Sequence, residues 1–135
     1  MSVGSGGAGT MLFDTDVLIW VLRGNAKAAQ AVDDCDRRSL SVVTYMELLQ
    51  GARNKAEVRA IKAFLADIRF TALPLTENIG HRASIYMEEY VLADSMSMAD
   101  ALIAATAIEA KQALISGNAK HYKAIQELDL KRFRP

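Results

Sequence analysis

Apolar residues in this chain fall into short runs that alternate with longer stretches in which they recur every three or four positions. The short runs suit buried strands and the longer spacing suits amphipathic helices. Strands are predicted over 11–14 (MLFD), 39–43 (SLSVV), 70–75 (FTALPL, with Pro74 near its end) and 113–116 (ALIS), with a weak one near 128–131. Helices are predicted over 15–24, stopped by Gly24, then 26–35, 44–53 (containing Gly51), 56–68, from Thr76 onward, 97–111 and 118–126. In the helix at 56–68 the inward stripe is Val58, Ile61, Leu65 and Ile68; after Thr76 it is Ile79, Ala83, Tyr86 and Tyr90. The helix at 97–111 is apolar nearly all round and is expected to be buried.

Strands separated by helices imply parallel pairing with right-handed crossovers. The expected class is α/β, three layers deep, with a central, mostly parallel sheet of four to five strands flanked by helices. The segment 1–10 (MSVGSGGAGT) is small and uncharged in its side chains and reads as a flexible linker. It is expected to be a cloning remnant ahead of a native start at Met11, which leaves 11–135 as one domain.

In an open parallel sheet the reactive crevice lies beyond the carboxyl ends of the strands, where the order reverses. The residues that follow the strands are therefore the ones to inspect. Asp14 and Asp16 follow the first, Glu47 falls in the first turn of the helix after the second, and Ser116, Gly117 and Asn118 follow the fourth. Asp100 lies in the first turn of the apolar helix at 97–111. Each acid alone has a plain explanation. Thr44 with Glu47, and Ser97 with Asp100, have the spacing of a capping box, and Asn118 can equally cap a helix. The set is harder to explain by capping, because acids gathered in apolar surroundings repel one another and lose solvation. A divalent cation offsets both costs, and oxygen ligands without cysteine or paired histidine suit Mg²⁺ or Mn²⁺. Such a centre favours hydrolysis of phosphate esters.

Charge and composition narrow the field only a little. Lys+Arg and Asp+Glu both number 16, so any attraction to phosphate is local or carried by a bound cation. The single cysteine, Cys35, excludes a disulfide within one chain and fits a reducing, cytoplasmic setting. No apolar run approaches the roughly 18 residues that a membrane span needs. Of the two histidines, His81 lies on an amphipathic helix, while His121 lies nearer the acids. Lys120, His121 and Lys123 form a modest basic patch, and Lys120 and His121 are candidate substrate contacts.

Taken together, LFDTDVLIW, SVVTYMELLQGA, SMADALIAATAIEA and ALISGNAKHY closely resemble the motifs of PIN-domain proteins, and in particular the VapC-type toxins of bacterial toxin–antitoxin pairs. The resemblance runs from Met11 to about Phe133. It implies a compact α/β domain and Mg²⁺- or Mn²⁺-dependent cleavage of RNA. By the family pattern Asp14, Glu47 and Asp100 are the catalytic, metal-binding acids. Asp16, at a position often held by Asn, takes a supporting role. Two positions depart from the pattern: Asn118 stands where many members carry a fourth acid, which weakens binding of a second metal, and Ser116 replaces a Thr but keeps the hydroxyl. The family also implies a homodimer and a cognate antitoxin that inserts a segment across the acidic groove; the apolar stripes at 26–35 and 56–68 can serve such interfaces or simply the core. Two rival readings remain open at this point. LFDTDVL also resembles the opening strand of haloacid-dehalogenase-like phosphatases, although Val17 and Leu18 break that pattern. The chain can also be an inactive PIN-like binding scaffold, which Asn118 favours and the three retained acids oppose.

Overall fold

The computed structural model describes residues 9–135. The linker assigned to 1–10 falls mostly outside them, and Thr10 already belongs to the first strand. Five strands are described: β1 (Thr10–Phe13), β2 (Arg37–Ser41), β3 (Phe70–Leu73), β4 (Ala113–Ser116) and β5 (Leu130–Arg132). They form one sheet in the order β3-β2-β1-β4-β5, and every neighbouring pair is parallel. The helices are α1 (Thr15–Leu22), α2 (Ala26–Asp33), α3 (Val42–Gln50), α4 (Lys55–Asp67), α5 (Glu77–Asp94), α6 (Met98–Glu109) and α7 (Ala119–Tyr122).

The two faces of the sheet follow from the two-residue period of a strand. Leu12 and Leu114, paired across β1 and β4, join Ile79, Ala83, Tyr86 and Ile103 in one core beneath α5 and α6. Phe13, Leu40 and Ile115 face the other way, against Val17, Leu18, Val32 and Leu65 from α1, α2 and α4. Phe13 also meets Phe70 of β3 edge to face, with ring centroids 5.3 Å apart. The predicted stripes point inward: Ile61 and Leu65 on α4, and Ile79, Ala83 and Tyr86 on α5, are buried. The helix predicted to be buried on all sides, α6, keeps Ala101, Ile103, Ala104, Ala105, Thr106 and Ala107 out of solvent.

Two boundaries that bear on the site differ from the sequence expectation, each for a local reason. Helix α3 starts at Val42, because Ser41 caps it: its Oγ accepts from the Val43 N–H at 3.0 Å. The β-branched pair Val42–Val43 had extended the predicted strand too far, since such residues favour strands in isolation. The last helix ends at Tyr122. Ile125 and Leu128 beyond it are buried from turns, so their spacing reflects core contact rather than a helix.

This packing sets a stability test. Leu114→Ala, at a position with no exposure, is expected to lower unfolding stability by about 2–5 kcal/mol in urea titrations. Leu92→Ser, at a position 95% exposed, is expected to change it by less than about 0.5 kcal/mol.

Candidate active site

The sheet reverses its direction of growth at β1: β2 and β3 lie on one side, β4 and β5 on the other. Asp14 sits at that junction, immediately after β1, and its N–H donates to the Ile115 carbonyl of β4 at 2.9 Å. The carboxylate caps α1, with Oδ1 accepting from the Thr15 N–H at 2.8 Å. Oδ2 accepts from two hydroxyls, Ser116 Oγ at 2.7 Å and Tyr122 Oη at 3.0 Å. Asp14 is only 3% exposed. Burial raises its pKa from an ordinary 3.8 to about 6, opposed by the Ser116 hydrogen bond and reinforced by the charge of Asp16.

Asp100 enters from α6. Its backbone N–H donates to the capping Ser97 Oγ at 3.0 Å, so half of the expected capping box is present. Its carboxylate turns elsewhere. Oδ1 accepts from Tyr122 Oη at 3.3 Å, and Oδ2 lies 3.3 Å from His121 Nδ1, which is buried and lacks hydrogen-bond geometry. One hydroxyl therefore touches the carboxylates of both Asp14 and Asp100. Burial of Tyr122 and the two adjacent carboxylates push its pKa far up, so it remains a neutral donor.

Asp16 reaches across to β4 and accepts from the Gly117 N–H through Oδ2 at 2.9 Å. Its Oδ1 is buried without a partner. Burial is also the main cause of its raised pKa, with Asp100 adding a smaller electrostatic contribution. A Cβ at Gly117 would stand 2.5 Å from Asp16 Oδ2, so any other residue there would displace the Asp16 carboxylate from this bond.

Glu47 is placed differently from the expectation. Because α3 begins at Val42, Glu47 lies in the second turn rather than the first, and Thr44 does not cap it. Thr44 is buried within the helix, 3.0 Å from the Thr15 hydroxyl, and that hydroxyl donates to Glu47 Oε1 at 2.6 Å. Glu47 thus joins the Asp14 centre through Thr15 rather than by direct contact. It also lines a groove of about 690 Å³ between α1, α3 and α4, whose rim carries Arg23 and Arg53.

Ser116 is fully buried: it donates to Asp14 and accepts from the Asn118 N–H at 2.9 Å. Asn118 holds the N-cap position of α7 without a side-chain capping bond. Lys120 is exposed, and His121 is partly exposed beside Asp100. Sequence reasoning missed Tyr122 and Thr15, and it noted Gly117 by position without giving it a role. Tyr122 did leave a signal, since it shares the apolar spacing of Ile125 and Leu128, and a tyrosine so placed needs a partner for its hydroxyl.

Among the described residues no three Asp, Glu, His or Cys side chains already close on one point; the hydroxyls of Tyr122 and Thr15 stand between the acids. The donor set nevertheless fits a hard divalent cation. It consists of carboxylates, two of them with pKa values raised by burial, and it includes the orphaned Oδ1 of Asp16.

The buried Asp14 gives the metal-free protein a pH signature. Well below pH 3.8 the group is neutral in both folded and unfolded chains; as pH rises toward 6 the unfolded chain ionises first, so folding stability falls through this window. At 1.36 kcal/mol per pKa unit the loss is on the order of 3 kcal/mol. Asp14→Asn is expected to remove this fall, which is read by comparing denaturation midpoints of the two metal-free proteins between pH 4 and 6. Parallel pH profiles would refute the assignment.

A family model of the PIN domain matches residues 11–127. Comparison with curated protein sequences returns no match. Among solved structures, a toxin–antitoxin complex from Klebsiella pneumoniae contains a chain 28% identical to this one, with a TM-score of 0.75 over 87% of this chain and 94% of that chain. VapBC-1 from nontypeable Haemophilus influenzae matches at 24% identity and a TM-score of 0.77, covering 91% of this chain and 97% of that one. DNA-bound VapBC from Salmonella typhimurium matches at 16% identity and a TM-score of 0.75, with the same coverages of 91% and 97%. The last two likenesses are of fold. With an all-parallel five-stranded sheet, acids at its switch point and a family match across most of its length, the chain belongs to the PIN domain family.

Proposed function

We propose that this protein is a metal-dependent endoribonuclease that hydrolyses RNA phosphodiester bonds as the toxin of a toxin–antitoxin pair. The observation that carries the reading is the meeting of Asp14 and Asp100, from segments far apart in the chain, on one buried hydroxyl. Like charges brought together where water is scarce are a mark of functional centres.

Asp14 and Asp100 would hold Mg²⁺ or Mn²⁺, with Glu47 and Asp16 contributing from either side. When bound, the ion supplies the positive charge that draws in the phosphate and makes an attacking water more acidic. The chain's own groups do the positioning. Ser116 and Tyr122 fix one oxygen of Asp14, and the Thr15 N–H fixes the other. The Gly117 N–H anchors Asp16 and leaves its second oxygen unengaged. Glu47, held by Thr15 through Oε1, is less buried than Asp14 and is placed to accept a proton from water. His121 lies beside Asp100, and with the exposed Lys120 next to it in the chain it would contact the phosphate backbone. The RNA substrate and the homodimer follow from the family reading. The antitoxin partner is supported by the likeness to a chain from a toxin–antitoxin complex. A cytoplasmic location fits the single buried free thiol of Cys35. No helix among the described residues is long and apolar enough to cross a membrane.

RNA cleavage by nuclease-free preparations tests the reading. Asp14→Ala and Asp100→Ala are expected to reduce cleavage to background while far-UV circular dichroism stays that of the parent, and chelation followed by Mn²⁺ is expected to abolish and restore the parent's activity. Equal cleavage by all three proteins rejects the site. An inactive scaffold would show no Mn²⁺ binding dependent on Asp14 and Asp100 in titration calorimetry. Asn118→Asp is expected to tighten Mn²⁺ binding; unchanged affinity would place residue 118 away from the ion.

A further inference from the structure

Tyr122 is the least exposed large polar side chain among the described residues, at 1%. Its ring belongs to the core under α5 and α6, beside Leu128 and Ile125. Its hydroxyl leaves that core and reaches Asp14 Oδ2 at 3.0 Å and Asp100 Oδ1 at 3.3 Å. A phenylalanine would fill the same apolar space, so packing alone does not call for the oxygen. What the oxygen adds is a neutral donor shared by two carboxylates that come from β1 and α6.

We propose that Tyr122 is a positioning residue that presets the two principal carboxylates for the divalent ion. The inference rests on the nuclease reading above. The hydroxyl engages one oxygen of each acid and leaves the others, Asp14 Oδ1 and Asp100 Oδ2, without a bond to it. Asp14 Oδ1 retains only the Thr15 N–H, and Asp100 Oδ2 has only His121 Nδ1 nearby. Each carboxylate is thereby restrained in rotation, and an ion entering the site need not order the ligands itself. Ser116 cannot do this alone, because its hydroxyl reaches Asp14 and not Asp100. Orienting partners of this kind govern metal affinity as well as catalysis.

The test is Mn²⁺ titration calorimetry on the full chain, with RNA cleavage measured in parallel. Tyr122→Phe keeps the ring and is expected to weaken Mn²⁺ binding by about ten-fold or more. It is also expected to lower kcat at saturating Mn²⁺ with little change in KM for RNA. Replacing Tyr122 with 4-aminophenylalanine, which keeps a donor at the ring's end, is expected to restore the affinity. A Tyr122→Phe protein that binds Mn²⁺ as tightly as the parent, or more tightly, overturns the proposal even if it melts at a lower temperature. Should Tyr122→Phe fail to fold, the 4-aminophenylalanine protein decides: parental affinity supports the proposal and lost affinity in a folded protein overturns it. If the parent itself binds no Mn²⁺, the nuclease reading fails first, and the two failures are told apart.

Discussion

The site depends on one costly arrangement: the carboxylate of Asp14, almost without solvent, held at the seam between the two central strands. Water would solvate that charge better than the protein does, which is why its pKa rises toward neutrality. The fold tolerates the cost because three donors converge on the group: the N–H of the next residue, a hydroxyl from the end of β4 and a phenol from α7. Remove these and the charge loses its compensation; the ion proposed to bind there would add to it. The remainder of the centre can be read as scaffolding for this group.

Topology explains why those donors are within reach. With β1 between β2 and β4, the segments leaving β1 and β4 emerge side by side at the switch point. The turn from β4 into α7 therefore faces Asp14 and Asp16, and the absence of a side chain at Gly117 lets Asp16 close on the backbone of that turn. On the opposite face the core under α5 and α6 anchors the start of α6, from which Asp100 projects. Burial in two separate cores thus fixes the spacing of acids that never contact one another directly.

Most of the architecture was legible because hydrophobic periodicity and element type coincide here. The stripe on α4, the uniformly apolar α6 and the short strands β1 and β4 each had a single structural reading. Boundaries failed where local preference opposed tertiary context, as at Val42–Val43, where β-branched residues begin a helix because Ser41 caps it. In the site, the acids were visible as residues that follow strands or open helices. Of the groups that orient them, Ser116 was also visible, but the others were not. A tyrosine at an apolar position, a threonine next to a cap and a glycine after a strand all carry ordinary local meanings. Their roles emerge only when segments distant in sequence are brought together. Glu47 shows the intermediate case: its selection as a site residue needed only the motif, but its link through Thr15 needed the packing of α1 against α3.

The seam between β1 and β4 also has a temporal consequence. The bond from Ser116 to Asp14 spans 102 positions, and Tyr122 lies further still. During synthesis β1 can pair with β2 early, but it must wait for β4 until the intervening helices and β3 have been made. Until then Asp14 lacks both hydroxyls and Asp100 has no shared partner. A product that stops before β4 and α7 therefore carries Asp14 and Asp100 without the hydroxyls that join them.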